Sequence, residues 1–460
     1  EVRHVAAPTF YDSLLAYSPD GKHIACKGSN PHHLCLRDGS TGVVVRQWKA
    51  HESVMQHLSF SPDGKFLASQ CRPSQPGEIE RSIKLWDAAT GRELMRFDFQ
   101  DRYITSTAIS FSPDSKVVYA WDCPFTRGWS TETGREIPRI TNRFRGIRML
   151  HALAPDGRSM IASDLRRDPP SPPVKAEGAP VPPFALYEVS TGKERLRFKD
   201  IPPDSNTLVC FVFSPDGRFV GVGGLGEPQQ IYLWDTRTGK RLAVLDGHNG
   251  WVTDLAFAPD GKTLASASND TTVLLWDMTK YLHDRPDQPL RAPADMERSW
   301  TDLASADARK AYQAILALAD TPRLTVPLLR SRLQPAPTSA TASVSKWIAD
   351  LDSAHFADRE KSARALEAVG ELAVPELEKA LRNPASAEVS RRIETLLQKV
   401  QAGVIQPDVL LSLRAVEVLD RIGTKDARAV LASLAQGAPE ARLTREARTS
   451  LSRLDLLKRR

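Results

Sequence analysis

The stretch that decides the fold is GHNGWVTDLAFAPDGKTLASASNDTTVLLWD, residues 247–277. It contains three short segments rich in apolar and β-branched residues, separated by tight turns, which predicts strands at 252–257, 263–267 and 272–276. A meander of this size cannot cover both of its faces. It therefore needs a similar neighbour on each side.

The turn between the first two strands recurs along the first part of the chain. Proline at its second position presets the dihedral angle, aspartate accepts hydrogen bonds within the turn, and glycine takes the left-handed conformation. Turns of the form Ser/Ala-Pro-Asp-Gly/Ser begin at residues 18, 61, 112, 154, 214 and 258. Most of these turns are just above forty residues apart, a spacing that predicts six units of a β-propeller.

The last unit begins with Gly247-His248 and ends with Trp276-Asp277, and in both respects it resembles a WD repeat. Two other units keep the ending, as Leu85-Trp86-Asp87 and Leu233-Trp234-Asp235. The resemblance implies an all-β, WD40-like propeller with six visible repeat units. In such repeats the outer strand of one blade comes from the sequence that opens the next unit.

The chain begins at Glu1 with a segment like those that follow the Thr-Gly turns of the repeats. We hypothesise that residues 1–6 form the fourth strand of a blade whose first three strands precede Glu1, which would make the parent protein seven-bladed. Alternatively, the strand at 2–6 supplies the missing outer strand of the last unit. That closure would join the two ends of the ring and remove unpaired edges.

The last unit also carries the polar residues that resemble the structural tetrad of WD repeats, which are His248, Ser266 or Ser268, Asp270 and Trp276. A chain of hydrogen bonds through them would satisfy every buried polar group, so we interpret them as structural rather than catalytic. In the second unit His51 and Trp86 match, but an insertion replaces the Asp turn, and the fifth unit keeps Trp234 without the His. We therefore expect a complete tetrad only in the last unit.

Aromatic and arginine side chains stand at the entrances to several first strands, namely Trp251, Tyr11, Arg102 and Tyr103. These residue types most often carry interface energy, so they form the candidate interaction rim; packing in the core is the alternative for each. The predicted insertions fall between second and third strands and elaborate the same rim. They span residues 70–82, 166–184 and 224–230, and the second is rich in proline.

The composition changes sharply near residue 280, which predicts three parts: a propeller at 1–277, a proline-rich linker at 278–295 and an α-helical domain at 296–460. Apolar residues in the last part follow a helical period, and three helix pairs look alike, at 311–333, 362–381 and 413–434. They resemble HEAT-like repeats, in which each pair packs on the next. The combination is similar to a group of bacterial WD-repeat proteins with a helical tail.

The net charge of +6 lies mostly in the helical part, without a dense basic patch before residue 458, so nucleic acid is not an expected partner. The five cysteines form no CxxC pair, and as buried free thiols they favour a reducing compartment. A zinc site from His32, His33, Cys26 and Cys35 fits no usual ligand spacing, so no metal or other cofactor is expected. No apolar run is long enough for a membrane span.

The sequence lacks the motifs of common enzyme classes, such as a phosphate-binding glycine loop, HExxH or GxSxG. Only Asp254, His57 and His151 are candidates for catalysis in the channel, and they are scattered. We therefore predict a non-enzymatic scaffold that binds a protein partner on the elaborated rim, with the helical domain as a second surface. The alternative is the regulatory or sensory portion of a larger protein whose enzymatic or transcription-factor domain precedes Glu1.

Overall fold

The computed structural model describes residues 3–6, 14–28, 30, 32–71, 80, 82–98, 108–122, 125–137, 147–164, 184–200, 208–224, 229–282, 293–337, 339–369, 373–382, 385–401, 406–439 and 441–458. The chain divides into two compact units. The propeller unit comprises residues 1–287 with 455–460, and the helical unit comprises residues 288–454.

Six four-stranded antiparallel sheets form the blades of the propeller unit. The chain opens with β1 (Arg3–Ala6). The first blade contains β2 (Leu15–Tyr17), β3 (His23–Lys27), β4 (His33–Asp38) and β5 (Val44–Lys49). The second contains β6 (Met55–Phe60), β7 (Phe66–Cys71), β8 (Ser82–Asp87) and β9 (Glu93–Asp98). The third contains β10 (Ala108–Phe111), β11 (Val117–Asp122), β12 (Phe125–Ser130) and β13 (Glu136–Ile137).

The other three blades repeat this order. The fourth contains β14 (Ile147–Leu153), β15 (Ser159–Asp164), β16 (Phe184–Glu188) and β17 (Glu194–Arg197). The fifth contains β18 (Leu208–Phe213), β19 (Phe219–Gly224), β20 (Ile231–Asp235) and β21 (Arg241–Leu245). The sixth contains β22 (Val252–Phe257), β23 (Thr263–Ser268) and β24 (Thr272–Asp277), whose bounds match the predicted strands to within one residue.

The strand β1 completes the sixth blade. It pairs antiparallel with β24, and Arg3 lies opposite Leu275 in the register. The inner strand β22 of the last blade in turn contacts the inner strand β2 of the first. The chain therefore closes its own six-bladed ring, as the second of the two sequence hypotheses predicted, and β1 covers the edge of β24 that the last unit leaves open.

The recurring turns adopt the predicted geometry. In the first blade Ser18 Oγ donates to Asp20 at 2.6 Å and accepts the His23 amide at 2.9 Å. Gly21 takes the left-handed conformation, with φ of 71°. In the third blade Ser115 replaces glycine and still takes a φ of 62°, so the turn geometry persists where the motif has drifted.

The segment predicted as a linker is in part structured. Asp277 accepts hydrogen bonds from the amide and hydroxyl of Thr279, the first residue of the short helix α1 (Thr279–Leu282). Met278 is buried, and Tyr281 packs against the core between the fifth and sixth blades. The first residues after β24 therefore belong to the packed blade, and residues 283–292 lie outside the described part of the chain.

The helical unit contains the remaining helices of the described residues. They are α2 (Pro293–Asp302), α3 (Ala308–Ala319), α4 (Pro322–Arg332), α5 (Ser339–Asp350), α6 (Phe356–Val369), α7 (Val374–Arg382), α8 (Ala387–Gln401), α9 (Pro407–Ile422), α10 (Lys425–Leu434) and α11 (Arg442–Lys458). The N-cap of α3 is Asp307, whose carboxylate accepts the Arg309 amide.

The helix pairs do not pack in chain order. The first pair, α3 and α4, packs directly on the third pair, α9 and α10. Between them in the sequence, helices α5 to α8 form a separate core around Val344, Leu366 and Ile393. These helices therefore depart from the order that the HEAT-like resemblance implies, because α5 to α8 pack their apolar faces on one another.

Helix α9 lies at the centre of its group and is buried on most of its surface. One of its buried side chains is Arg414, whose guanidinium donates to the Leu303 and Ser305 carbonyl oxygens, both at 2.7 Å. These carbonyls follow the end of α2 and have no helical partners of their own. Arg414 thus ties α9 to the end of α2. No helix among the described residues combines the length and apolar character that crossing a bilayer requires.

Candidate interaction surface

A chain of hydrogen bonds crosses the sixth blade. The Trp276 indole nitrogen donates to Ser266 Oγ at 2.8 Å, and Ser266 Oγ lies 2.7 Å from His248 Nε2. His248 Nδ1 lies 3.0 Å from the Asp270 carboxylate. Ser266 already accepts from the indole, so it donates to Nε2, and a neutral His248 donates from Nδ1 to Asp270. The sequence analysis left open which of two serines belongs to the tetrad. Ser266 takes part in this series of hydrogen bonds, whereas Ser268 accepts the Asp270 amide.

Asp270 is the end of this chain and also its anchor to the neighbouring loop. It accepts the Asn249 amide at 2.8 Å, together with the amide and hydroxyl of Thr272. Burial disfavours its charge, but the hydrogen bonds from Thr272, Asn249 and His248 outweigh burial and lower the pKa of Asp270 to about 2. The carboxylate is therefore ionised at neutral pH and holds the loop before β22 in place.

Trp251 lies at the end of that loop, and its side chain is 46% exposed. Its carbonyl oxygen accepts the Asn269 amide at 3.0 Å. A Cβ atom at Gly250 would lie 2.7 Å from the Asp270 amide nitrogen, so the loop and the β23–β24 turn approach as closely as glycine allows. The backbone on both sides of Trp251 is fixed while its indole faces solvent.

The other predicted rim residues, Tyr11, Arg102 and Tyr103, lie outside the described residues. The three insertions do fall between second and third strands, as the ends of β7, β15 and β19 show. Most of their residues, at 72–79, 165–183 and 225–228, are likewise outside the described part of the chain.

The second blade carries a complete chain that the sequence analysis missed. Trp86 donates to Ser69 Oγ at 2.8 Å, Ser69 lies 2.7 Å from His51 Nε2, and His51 Nδ1 lies 3.3 Å from Glu80. Glu80 also accepts the Glu52 amide, just as Asp270 accepts the amide after His248. The expectation of one complete tetrad is therefore wrong, because a glutamate serves in place of the aspartate.

A sequence signal for Glu80 exists. Each carboxylate stands six positions before the tryptophan of its own third strand, Glu80 before Trp86 and Asp270 before Trp276. The insertion precedes Glu80 and lengthens only the distance from His51. Counting backwards from the tryptophan would have found the residue.

Several charged groups surround Glu80. Ser82 Oγ donates to it at 2.8 Å, and the cationic groups of Lys84 and Arg96 each lie 3.6 Å away. Burial alone would raise the pKa of Glu80, but the hydrogen bonds from His51, Glu52 and Ser82 hold it well below its ordinary value. The Glu80 carboxylate is thus a buried anion that is stabilised by hydrogen bonds and by two neighbouring cations.

Donor atoms of His51, Cys71 and Glu80 lie within 4.8 Å of one another, as in a metal site. The two neighbouring cations already balance the Glu80 charge, and both ring nitrogens of His51 are within hydrogen-bonding distance of partners. This donor set therefore suits a structural hydrogen-bond chain better than a divalent cation.

The loops of the second and sixth blades differ in what they expose. Val54 stands three positions after His51, as Trp251 stands three after His248. Val54 is buried at 8% exposure. The equivalent loops therefore differ in function: the loop of the second blade places Val54 in the core, and the loop of the sixth blade exposes the large aromatic side chain of Trp251.

The predicted catalytic candidates occupy three different inner strands, β22, β6 and β14. Asp254 is partly buried, and its two oxygens accept the Leu15 amide at 2.5 Å and the Leu255 amide at 2.8 Å. Burial raises the pKa of Asp254 to about 7. The Leu15 bond joins the sixth blade to the first. His57 is partly buried on β6, and the side chain of His151 lies outside the described residues.

In the fifth blade, Trp234 donates to the Lys199 carbonyl oxygen at 2.8 Å, so a backbone group replaces the Ser and His of the complete chains. His32, His33, Cys26 and Cys35 do not come together as a metal-ligand set in the described part of the chain.

The family model for the WD domain, G-beta repeat, matches residues 42–87 and 239–277. These segments contain the two complete hydrogen-bond chains. The protein is therefore a six-bladed β-propeller with WD40 repeats, followed by a helical region.

Curated relatives include WD repeat-containing protein 1 of Mus musculus, 24% identical over 272 residues, which are 58% of this chain and 40% of the mouse protein. Actin-interacting protein 1 of Drosophila melanogaster is 24% identical over 270 residues, covering 57% of this chain and 39% of the fly protein. Nuclear distribution protein PAC1-1 of Uncinocarpus reesii is 25% identical over 289 residues, covering 58% and 59% respectively. The chain thus spans less than two thirds of the length of each of these relatives.

Proposed function

We propose that this protein is a non-enzymatic interaction scaffold that binds a protein partner on the propeller rim around Trp251. The observation that carries the proposal is an indole that is 46% exposed on a loop fixed by Asp270 and the close approach of Gly250. A large aromatic side chain on a fixed backbone loses little entropy on binding, which is the property of an interface anchor.

The polar groups that resemble catalytic residues take part in structural hydrogen bonds, which favours a binding function over a catalytic one. His248 and His51 contact partners through both ring nitrogens, and Asp254 uses both oxygens for backbone amides. A general base needs a position from which it reaches a substrate proton. These groups instead hold the blades together.

We also propose that the helical unit offers a second surface built from HEAT-like pairs, within the predicted division at 1–277, 278–295 and 296–460. The packing of the α3/α4 pair on the α9/α10 pair supports the HEAT-like assignment, and the order in which the pairs pack differs from that of a regular superhelix. The joint presence of a propeller and this helical sequence supports a place among the bacterial proteins that the chain resembles.

Actin is the first partner to test, since one relative is named for its interaction with actin. The full-length protein should sediment with filamentous actin, or bind monomeric actin, in a manner that Trp251→Ala abolishes. Val44→Ala, which truncates a side chain 45% exposed on the outer strand of the first blade, is the matched control.

If actin does not bind, proteins captured from the native host by the wild type should be lost with Trp251→Ala and kept with Val44→Ala. Equal capture by both variants, with unchanged folding, would refute the proposed rim.

A further inference from the structure

Two cysteines face each other across the first blade. Cys26 on β3 stands directly opposite Cys35 on β4, so both side chains project from the same face of the sheet. At the next pair but one of the same ladder, the Gly28 amide donates to the His33 carbonyl oxygen. Cys26 and Cys35 therefore occupy a hydrogen-bonded pair, for which the Cα separation is about 5.5 Å.

That separation is suitable for a disulfide, which needs Cα atoms roughly 4.4 to 6.8 Å apart. Both residues are free thiols in the structure. The backbone therefore already holds the two cysteines at a separation that a disulfide can span.

The pair lies in the seam where the first blade meets the sixth. Cys26 is 8% exposed and Cys35 is 1% exposed. Small apolar side chains pack around them, including Leu15, Ala256, Ala265, Ala267 and Val273. Only a small reagent reaches sulfurs in such a place, and only when the seam opens briefly.

The two thiols differ in acidity. A hydrogen bond from Cys26, helped by the nearby charge of Arg37, outweighs burial and lowers the pKa of Cys35 to about 7. The same interaction, together with burial, raises the pKa of Cys26. At neutral pH Cys35 is therefore partly a thiolate, while Cys26 keeps its proton.

The other described cysteines provide a built-in comparison. Cys71 stands opposite Ser82 in the ladder, and burial raises its pKa to about 11. Cys210 stands opposite Gly223, and burial raises its pKa as well. Among the described residues, neither has a cysteine at the facing position of its ladder.

We propose that Cys26 and Cys35 form a reversible redox pair that a small peroxide converts to a disulfide. The Cys35 thiolate attacks one oxygen of hydrogen peroxide, the O–O bond breaks, and the leaving hydroxide takes up a proton to become water. The sulfur of Cys26, losing its proton, then attacks the sulfenic acid on Cys35, and a second water leaves. Two thiols are oxidised and one peroxide is reduced to two waters.

The disulfide ties β3 to β4 beside the closure of the ring, where Leu15 bonds Asp254. A dithiol reductant reverses the reaction by thiol–disulfide exchange. The site therefore makes the seam between the first and sixth blades sensitive to oxidation.

Peptide mapping tests the proposal on the full-length protein. The reduced protein is treated with hydrogen peroxide, its remaining thiols are blocked with N-ethylmaleimide, and it is digested with trypsin without reduction. Cleavage after Lys22, Lys27 and Arg37 places the two cysteines in separate peptides, 23–27 and 28–37. We expect these peptides to be linked, with about ten-fold more of this link than of any other cysteine pair.

The link should disappear with dithiothreitol and in the Cys26→Ser and Cys35→Ser variants, and it should persist in Cys71→Ser and Cys210→Ser. Unlinked peptides after treatment, whether the thiols are alkylated or Cys35 is over-oxidised, would overturn the proposal. So would equal linkage of all cysteine pairs, or the same specific link in protein unfolded in urea, because the fold would then have no part in it.

Discussion

The replacement Glu80→Ala tests whether a glutamate completes the structural chain of the second blade. It removes the acceptor for the Ser82 hydroxyl and the Glu52 amide, and the partner of His51, which is 1% exposed. The Ser82 hydroxyl can rotate to another acceptor and the Glu52 amide can bond to water, but the buried His51 ring has no such replacement. A buried group left without its partner costs about 1 to 3 kcal/mol, so we expect a total loss of about 2 to 4 kcal/mol.

Glu93→Ala is the matched control, because Glu93 also lies near Lys84, at 3.2 Å, but is 41% exposed. An exposed pair of this kind contributes about 1 kcal/mol or less. Urea unfolding followed by tryptophan fluorescence gives the difference in stability, and hydrogen exchange locates it. The amides of β8 and of the loop before β6 should lose protection in Glu80→Ala and keep it in Glu93→Ala.

The pH dependence gives a second readout of the same prediction. Because the pKa of Glu80 is held below its ordinary value of 4.5, its contribution is complete above pH 4.5 and is lost as the pH falls towards the folded-state value. The cost of Glu80→Ala should therefore shrink in acid. A Glu80→Ala variant as stable as Glu93→Ala at pH 7 would refute the assignment of Glu80 to the chain.

Two further predictions concern charged side chains that bond to backbone groups. The folded-state pKa of Asp254 is raised from 3.8 to about 7, so its protonated carboxyl stabilises the folded state in acid. As the pH rises from 3.8 to about 7, this contribution to the free energy of unfolding falls by up to about 4 kcal/mol. Asp254→Asn should lack this decline in urea titrations at pH 4 to 8, and parallel profiles for variant and wild type would contradict it. Arg414→Met leaves the Leu303 and Ser305 carbonyls unpaired and should cost about 2 to 4 kcal/mol in urea unfolding. The exposed Arg330→Met should change stability by about 0.5 kcal/mol or less, and equal effects would refute the role of Arg414.

The strands and turns of the propeller could be predicted from sequence because their causes are local. Each Ser-Pro-Asp-Gly turn carries its own proline, hydrogen-bonding carboxylate and glycine, and even Ser115 keeps the left-handed conformation. The tetrad of the sixth blade was equally local, since His248 and Asp270 lie within one intact repeat. The packing of α3 and α4 on α9 and α10 could not be predicted, because helical periodicity shows which face is buried but not what covers it.

Glu80 was missed for a different reason. The repeat motif specifies an aspartate at a fixed distance from the histidine, and the insertion before Glu80 changes that distance. The physical requirement is only an anion that reaches both His51 and the amide that follows it. The longer glutamate side chain meets this requirement from the end of the insertion.

The dissociation constant of Trp251→Ala for the partner tests the central claim most directly. We predict binding weaker than that of the wild type by about 30-fold or more, equivalent to about 2 kcal/mol, with an unchanged unfolding midpoint. Val44→Ala should bind like the wild type. A Trp251→Ala variant that folds normally and binds with the wild-type dissociation constant would contradict the proposal that this rim is the interaction surface.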